Sequence, residues 1–207
     1  EMKRGMLQIY YGEGQGKTSA ALGNAIRYAS AGKTVCIVQF MKGQLSTSYL
    51  SRLEPEIKIF RFERSPEGFD TLTDEEKQEE KINIANGLNF AKKVLTTGEC
   101  DLLVLDEVLG LVEEGMATEE EIINVLKTRD LYTDVTLTGR GKLPGVFEMA
   151  DTIYKLQKRV EQYRSEALVY KEGTIRINVE IPGVTDANQI LDELGKPGSL
   201  YFIADKG

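Results

Sequence analysis

The run Met6-Leu7-Gln8-Ile9-Tyr10-Tyr11-Gly12-Glu13-Gly14-Gln15-Gly16-Lys17-Thr18-Ser19 decides the fold. Its first part, Met6–Tyr11, is a short apolar run that ends at glycine and reads as a strand. From Lys17 to Ala31 the spacing turns helical and rich in alanine, and Gly32 supplies a C-cap. A glycine-rich turn between a strand and a helix is the context of a phosphate-binding loop. The glycines let successive N–H groups converge on phosphate oxygens. The helix that follows aims its positive end at the same point. Lys17 adds a full charge and Thr18 offers a hydroxyl to magnesium. Gly12, Glu13, Gly14, Gln15, Gly16, Lys17, Thr18 and Ser19 are therefore the expected ATP-binding residues. The common spacing places a glycine five residues before Gly16; Tyr11 stands there instead, which makes the loop tighter than the usual form. The competing reading is a glycine-rich turn that binds nothing.

Outward from the loop, the chain alternates. Thr34–Phe40 reads as a buried strand, Ile57–Phe62 as a weaker one, and Leu72–Thr97 as a helix. That helix opens with Thr73 and Glu76 in capping-box spacing, and Ile82, Ala85, Leu88, Ala91, Lys92 and Leu95 lie along one side. Asp101–Leu105 is the near-continuous apolar run expected of a central parallel strand. Thr118–Leu126, with Thr118 and Glu121 spaced as a second capping box, is a helix. Val135–Leu137 is a strand, Leu143–Ala150 a short helix and Thr152–Leu156 a further strand. Strand–helix alternation predicts an α/β domain with a mainly parallel sheet and helices on both faces, P-loop NTPase-like and RecA-like.

After Gln157 the pattern changes. Lys158–Leu168 is charged and reads as a helix, an extended arm or a lid. Thr174–Glu180 alternates like a strand, Pro182-Gly183 is a turn, Thr185–Leu194 a helix and Leu200–Ile203 a strand. The expected organisation is an ATP-binding domain over 1–157 and an atypical extension over 158–207 packed on the same domain, its role not legible.

The 207 residues carry a formal net charge of −7, which argues against a nucleic-acid or anionic-membrane partner. No stretch of eighteen apolar residues is present, so no membrane span is expected, and residues 1–5 lack the pattern of a signal peptide. The cytoplasm is the expected compartment. Histidine is absent, which removes the commonest general base and the Ser-His and Cys-His nucleophile pairs. Cys36 and Cys100 are too few for a four-cysteine zinc site. Cys36 reads as a small buried hydrophobe, and nothing in the sequence demands a disulfide.

The second half of a nucleotide site follows the central strand. Asp106-Glu107 at its carboxyl end matches an acidic pair that holds magnesium directly or through water. The same pair also reads as a solvated helix start. Arg140, in Thr138-Gly139-Arg140-Gly141, either reaches a phosphate with its fork of donors or is a surface arginine. Lys42, in Phe40-Met41-Lys42-Gly43, either faces the nucleotide or is solvated.

Taken in order, Gly12-Glu13-Gly14-Gln15-Gly16-Lys17-Thr18, Ala20-Ala21-Leu22-Gly23, Val38-Gln39-Phe40-Met41-Lys42-Gly43, Gly68-Phe69, Leu105-Asp106-Glu107, Thr138-Gly139-Arg140-Gly141 and Ala150-Asp151-Thr152 resemble the ATP:corrinoid adenosyltransferase family of the P-loop type, from about Arg4 to about Leu156. The resemblance implies that a reduced cobalt(I) corrinoid, cobalamin or a precursor, attacks the 5′ carbon of ATP and that triphosphate leaves. It implies that Lys17, Thr18, magnesium and the loop amides neutralise the leaving group. It further implies that Glu107 with Asp106 completes the metal shell, that Phe69 packs at the corrinoid face, and that the protein is a homodimer. By this resemblance Lys17, Glu107 and Phe69 are the catalytic residues, and Thr18, Asp106 and Glu107 the metal-binding ones. Phe69 also reads as a plain core or loop aromatic. Two features depart from the family: there is no tryptophan after Gly68-Phe69, and Lys158–Gly207 is unlike the family's short histidine-containing tail. They keep open an ATP-binding regulator that has lost transfer; a P-loop phosphotransferase of the thymidine kinase kind is a third reading, against which the missing zinc-ligand cysteines and histidines count.

Overall fold

The computed structural model describes residues 4–13, 15–41, 50–62 and 71–156, and the backbone of two strands at 168–172 and 176–180. The chain divides into two compact units, 1–156 and 157–207.

In the first unit the strands are β1 (Leu7–Tyr11), β2 (Val35–Gln39), β3 (Ile57–Arg61), β4 (Leu102–Asp106), β5 (Asp134–Gly139) and β6 (Thr152–Lys155). The helices are α1 (Lys17–Ser30), α2 (Asp74–Thr97), α3 (Gly110–Glu113), α4 (Glu119–Lys127) and α5 (Pro144–Glu148). A 3-10 turn, Leu50–Leu53, precedes β3. Among the described residues the six strands form one sheet in the order β3-β2-β4-β5-β1-β6, and each described pairing is parallel. β5 thus lies between the strand that leads into the glycine loop and the strand that ends in the acidic pair, the RecA-like arrangement. All carboxyl ends share one edge, where ligands bind in open parallel sheets.

Period-two alternation divides the strands between two faces. Val35, Ile37, Leu102 and Val104 pack with Ala21 and Ala25 of α1 and Ile57 of β3. Cys36, Val38, Leu103, Leu105, Val135 and Leu137 pack on the other face with Ile84, Leu88, Ala91, Ile122 and Val146 from α2, α4 and α5. Both faces are covered, which is why these strands read as continuous apolar runs. Full burial of a side chain such as Leu105 contributes roughly 1.5–3 kcal/mol.

The ends of the elements obey local chemistry. Thr73 and Glu76 form the capping box of α2, and Thr118 and Glu121 that of α4. α1 ends with Ala31 as C-cap, and Gly32 follows at φ 74°, its N–H donating to the Ala29 carbonyl at 2.9 Å. Gly32 thus sits one position later than the C-cap expected for it. Asp151 fastens β6 to β1: its N–H donates to Leu7 O, and its Oδ2 accepts from Leu7 N at 2.7 Å.

One expectation needs correcting. The buried stripe of α2 runs through Ile84, Gly87, Leu88, Ala91, Val94 and Leu95. Ile82 is 64% exposed, and Ala85 and Lys92 lie outside. The reason is Gly87, where a Cβ would lie 2.7 Å from Phe40 Cε1 and 2.8 Å from Phe62 Cγ. The bare backbone is what approaches the core, so an apolar count that skips glycine places the face too far round.

β5 is longer than the expected Val135–Leu137, because both of its neighbours continue to pair with it. In the second unit β7 (Leu168–Glu172) and β8 (Arg176–Glu180) form an antiparallel pair, with Leu168 opposite Glu180. β8 agrees with the strand expected over Thr174–Glu180, and Leu168 belongs to a strand. The expectations on 158–167, Pro182-Gly183, Thr185–Leu194 and Leu200–Ile203 lie outside the described residues, as do Gly14, Lys42, Gly68 and Phe69.

Candidate nucleotide site

The glycine loop leaves β1 at the carboxyl edge of the sheet. Gly12 takes φ 131° and Gly16 takes φ 104°, conformations that disfavour a side chain. The Gly12 N–H donates to the Gly139 carbonyl at 3.2 Å, which ties the loop to β5. A Cβ on Gly12 would overlap the Leu156 carbonyl, and the Leu156 side chain reaches to 3.4 Å from the Cβ position of Gly16. Gly16 is the N-cap of α1, and no side chain caps this helix end. The positive end of the helix dipole therefore lies at the loop. Lys17 is 5% exposed, and its Nζ donates back to the Gly12 carbonyl at 2.6 Å. Its charge is held inside the loop rather than in solvent.

Thr18 is half-buried, and its Oγ1 donates to Asp106 Oδ1 at 2.9 Å. This bond joins the loop and the acidic pair into one site. Asp106 is the last residue of β4 and is 1% exposed. The solvated-helix-start reading of Asp106 is therefore overturned. Glu107 is half-buried and takes φ 64°, an uncommon conformation for a residue with a side chain. Met41, at the end of β2 on the same edge, takes φ 52°. Two departures of this kind at one sheet edge mark it as a site under functional constraint.

Two residues that motif spacing does not single out complete the arrangement. Thr138 Oγ1 donates to Asp106 Oδ1 at 2.6 Å and accepts from Glu107 N at 2.8 Å. Gln39 Nε2 donates to Asp106 Oδ2 at 3.2 Å. Gln39, Asp106 and Thr138 sit on the adjacent strands β2, β4 and β5, and all three are at least 98% buried. The available signal was polarity in the wrong place: Gln39 ends the apolar run Val35–Val38, and Thr138 ends the alternating run Val135–Leu137.

The glycines of Thr138-Gly139-Arg140-Gly141 are explained by packing. A Cβ on Gly139 would lie 2.6 Å from Leu109 Cβ, and one on Gly141 would lie 3.1 Å from Leu109 O. Arg140 itself is exposed, as are Glu13, Gln15 and Ser19.

The site thus pairs an anion cradle with buried oxygen donors. The loop, Lys17 and the α1 N-terminus suit the phosphates of a nucleotide. Thr18, Asp106 and Glu107 offer the oxygen donors that a magnesium ion favours. The donor chemistry fits, and so does Gln39 Oε1, a buried acceptor that receives no hydrogen bond among the described residues.

The family model described as ATP:corrinoid adenosyltransferase BtuR/CobO/CobP matches residues 3–173. The model described as protein translocase subunit SecDF, P1 domain, N-terminal, matches residues 149–207. The corrinoid adenosyltransferase of Escherichia coli (strain K12) is 31% identical over 155 residues, 75% of this chain and 78% of that protein. The corrinoid adenosyltransferase CobA of Salmonella typhimurium is 32% identical over 155 residues, with the same shares covered. Among solved structures, the KaiC-like protein PH0186 of Pyrococcus horikoshii aligns at a TM-score of 0.49 and 18% identity, covering 85% of this chain and 76% of that one. With a family model spanning most of its length and relatives above 30% identity, the chain belongs to the ATP:corrinoid adenosyltransferase family.

Proposed function

We propose that this protein transfers the 5′-deoxyadenosyl group of ATP to a reduced cobalt(I) corrinoid, cobalamin or a precursor, with release of triphosphate. The observation that carries the reading is the 2.9 Å bond from Thr18 to Asp106, which couples the phosphate loop to the acidic pair in a member of this family. The cobalt(I) lone pair forms the bond to C5′. The C5′–O bond breaks, and triphosphate leaves with its electron pair. No protein nucleophile enters the balance. The protein's task is to hold the leaving group, neutralise its charge and keep water out. Lys17 and the amides of Gly12–Thr18 would take the phosphates, with Arg140 and Lys42 at their margin. Thr18, Asp106 and Glu107 would hold magnesium, which supplies charge neutralisation on the triphosphate. Phe69 would pack at the corrinoid face.

Residues 1–157 form the ATP-binding part in this reading, and 158–207 an extension. A homodimer in the cytoplasm, with no nucleic-acid or membrane partner, completes the proposal. Among the described residues no helix is long and apolar enough to cross a membrane. A second reading, an ATP-binding regulator without transfer, is favoured by the match of residues 149–207 to the SecDF P1 model in place of the family's tail.

Anaerobic incubation with cobalt(I) cobalamin and Mg-ATP tests the two. An adenosylcobalamin spectrum with triphosphate as the released species supports the transferase. ATP binding with an unchanged corrinoid spectrum sinks it and leaves the regulator.

A further inference from the structure

Gln39 belongs to the buried row Gln39–Asp106–Thr138, and its Oε1 receives no hydrogen bond among the described residues. We propose that Gln39 is a positioning residue for the hydrated magnesium of the nucleotide complex, its Oε1 accepting a hydrogen bond from a metal-bound water. The proposal rests on the nucleotide reading of the loop, though not on corrinoid transfer.

Three observations converge on it. Gln39 is 2% exposed, and its Oε1 receives no donor among the described residues. A buried amide oxygen without a donor is disfavoured, so Oε1 calls for a donor that the described residues do not supply. The amide orientation is fixed chemically. Asp106 Oδ2 accepts from Nε2 at 3.2 Å, and turning the amide over would set Oε1 against a carboxylate oxygen, acceptor facing acceptor. Lastly, Gln39 lines a cavity of about 10 Å³ together with Thr18, Ile37, Leu50, Val104 and Asp106. That is room for about one water molecule beside the Gln39 and Asp106 side chains.

The position has a further logic. Gln39 and Asp106 are directly paired across β2 and β4. Asp106 already accepts from Thr18, Thr138 and Gln39. A carboxylate so engaged is better suited to orient water around an ion than to become a free chelator. Magnesium gives up water reluctantly and favours near-ideal octahedral geometry. A rigid acceptor next to the carboxylate would hold that geometry, as outer-sphere partners do around other metals.

Calorimetric titration of the full chain with ATP, once with Mg²⁺ and once with EDTA, separates this role from a structural one. For Gln39→Met, which keeps the volume and removes the acceptor, Mg-ATP binding is expected to weaken about tenfold while metal-free ATP binding stays within about twofold. Gln39→Glu retains an acceptor at the same reach. Its ratio of metal-free to magnesium dissociation constants is expected to equal or exceed that of the wild type. Equal weakening of both titrations in Gln39→Met, or no change in either, overturns the proposal, as does a reduced ratio in Gln39→Glu. Should Gln39→Met fail to fold by circular dichroism, the Gln39→Glu ratio decides alone. Failure of corrinoid adenosylation by the wild type would remove the transferase reading and leave these ratios meaningful.

Discussion

Leu156 closes over Gly12: its carbonyl occupies the space a Cβ on Gly12 would need, while its N–H donates to the Tyr11 carbonyl at 2.8 Å. The phosphate loop is therefore held from outside by the residue that follows the edge strand β6. Gly12→Ala meets two obstacles at once, a backbone collision and φ 131°. Strain of this kind costs about 1–3 kcal/mol, and the loop can relieve it only by pulling away from Leu156. The expected outcome is a lower melting temperature together with loss of ATP binding, measured by thermal unfolding with and without nucleotide. A variant that keeps wild-type affinity would show that the loop does not need this clamp.

Thr138 makes a second prediction. Its hydroxyl accepts from Glu107 N and donates to Asp106, so one atom orders both members of the acidic pair. Thr138→Val keeps the shape and leaves the part-buried Glu107 N–H without this acceptor. A loss of about 1–3 kcal/mol in unfolding free energy is expected, together with a lower kcat in adenosyl transfer. Thr138→Ser should restore both. Recovery of stability without recovery of kcat would confine the hydroxyl to a structural role.

Much of this was legible before any coordinates. The strand–loop–helix at 6–31 and the two capping boxes are local, and local chemistry writes itself into the sequence. The acidic pair was placed correctly at the end of the central strand, though its burial was not legible. Burial of Asp106 depends on Gln39 and Thr138, which are 67 and 32 residues away in the chain. The Leu156 clamp was equally hidden, because sequence spacing does not reveal that the edge strand runs beside the loop. The face of α2 was misplaced for a different reason: glycine carries no hydrophobic signal, yet Gly87 is where the helix approaches the core.

That contact yields a paired prediction. Gly87→Ala would gain about 1 kcal/mol in helix propensity. The new methyl, however, meets Phe40, which is fully buried, and Phe62, whose ring lies 5.7 Å from that of Phe90. Overpacking of such a site costs about 1–3 kcal/mol, so the net effect is destabilising. Ile82→Ala, on the exposed side, should change stability by no more than about 0.5 kcal/mol. Urea unfolding of the two variants checks the assignment, and the reverse ranking would refute the face described here.

The two cysteines give the last test. Cys36 and Cys100 are free and buried, and burial pushes both thiols up to about 12. Only the thiolate reacts with disulfide reagents or alkylators. At pH 8 the folded protein should therefore label far more slowly than the same chain in denaturant, where both thiols sit near their ordinary range. The sign of the linkage follows. Between about pH 9 and 12 the unfolded chain loses these protons while the folded chain keeps them, so stability must fall as pH rises across that window. Cys36→Ala removes one of the two titrating groups. Its unfolding free energy should decline less steeply from pH 9 to 11 than that of the wild type, whatever its value at neutral pH. An identical slope in both proteins would mean that the Cys36 thiol ionises alike in the folded and unfolded chains.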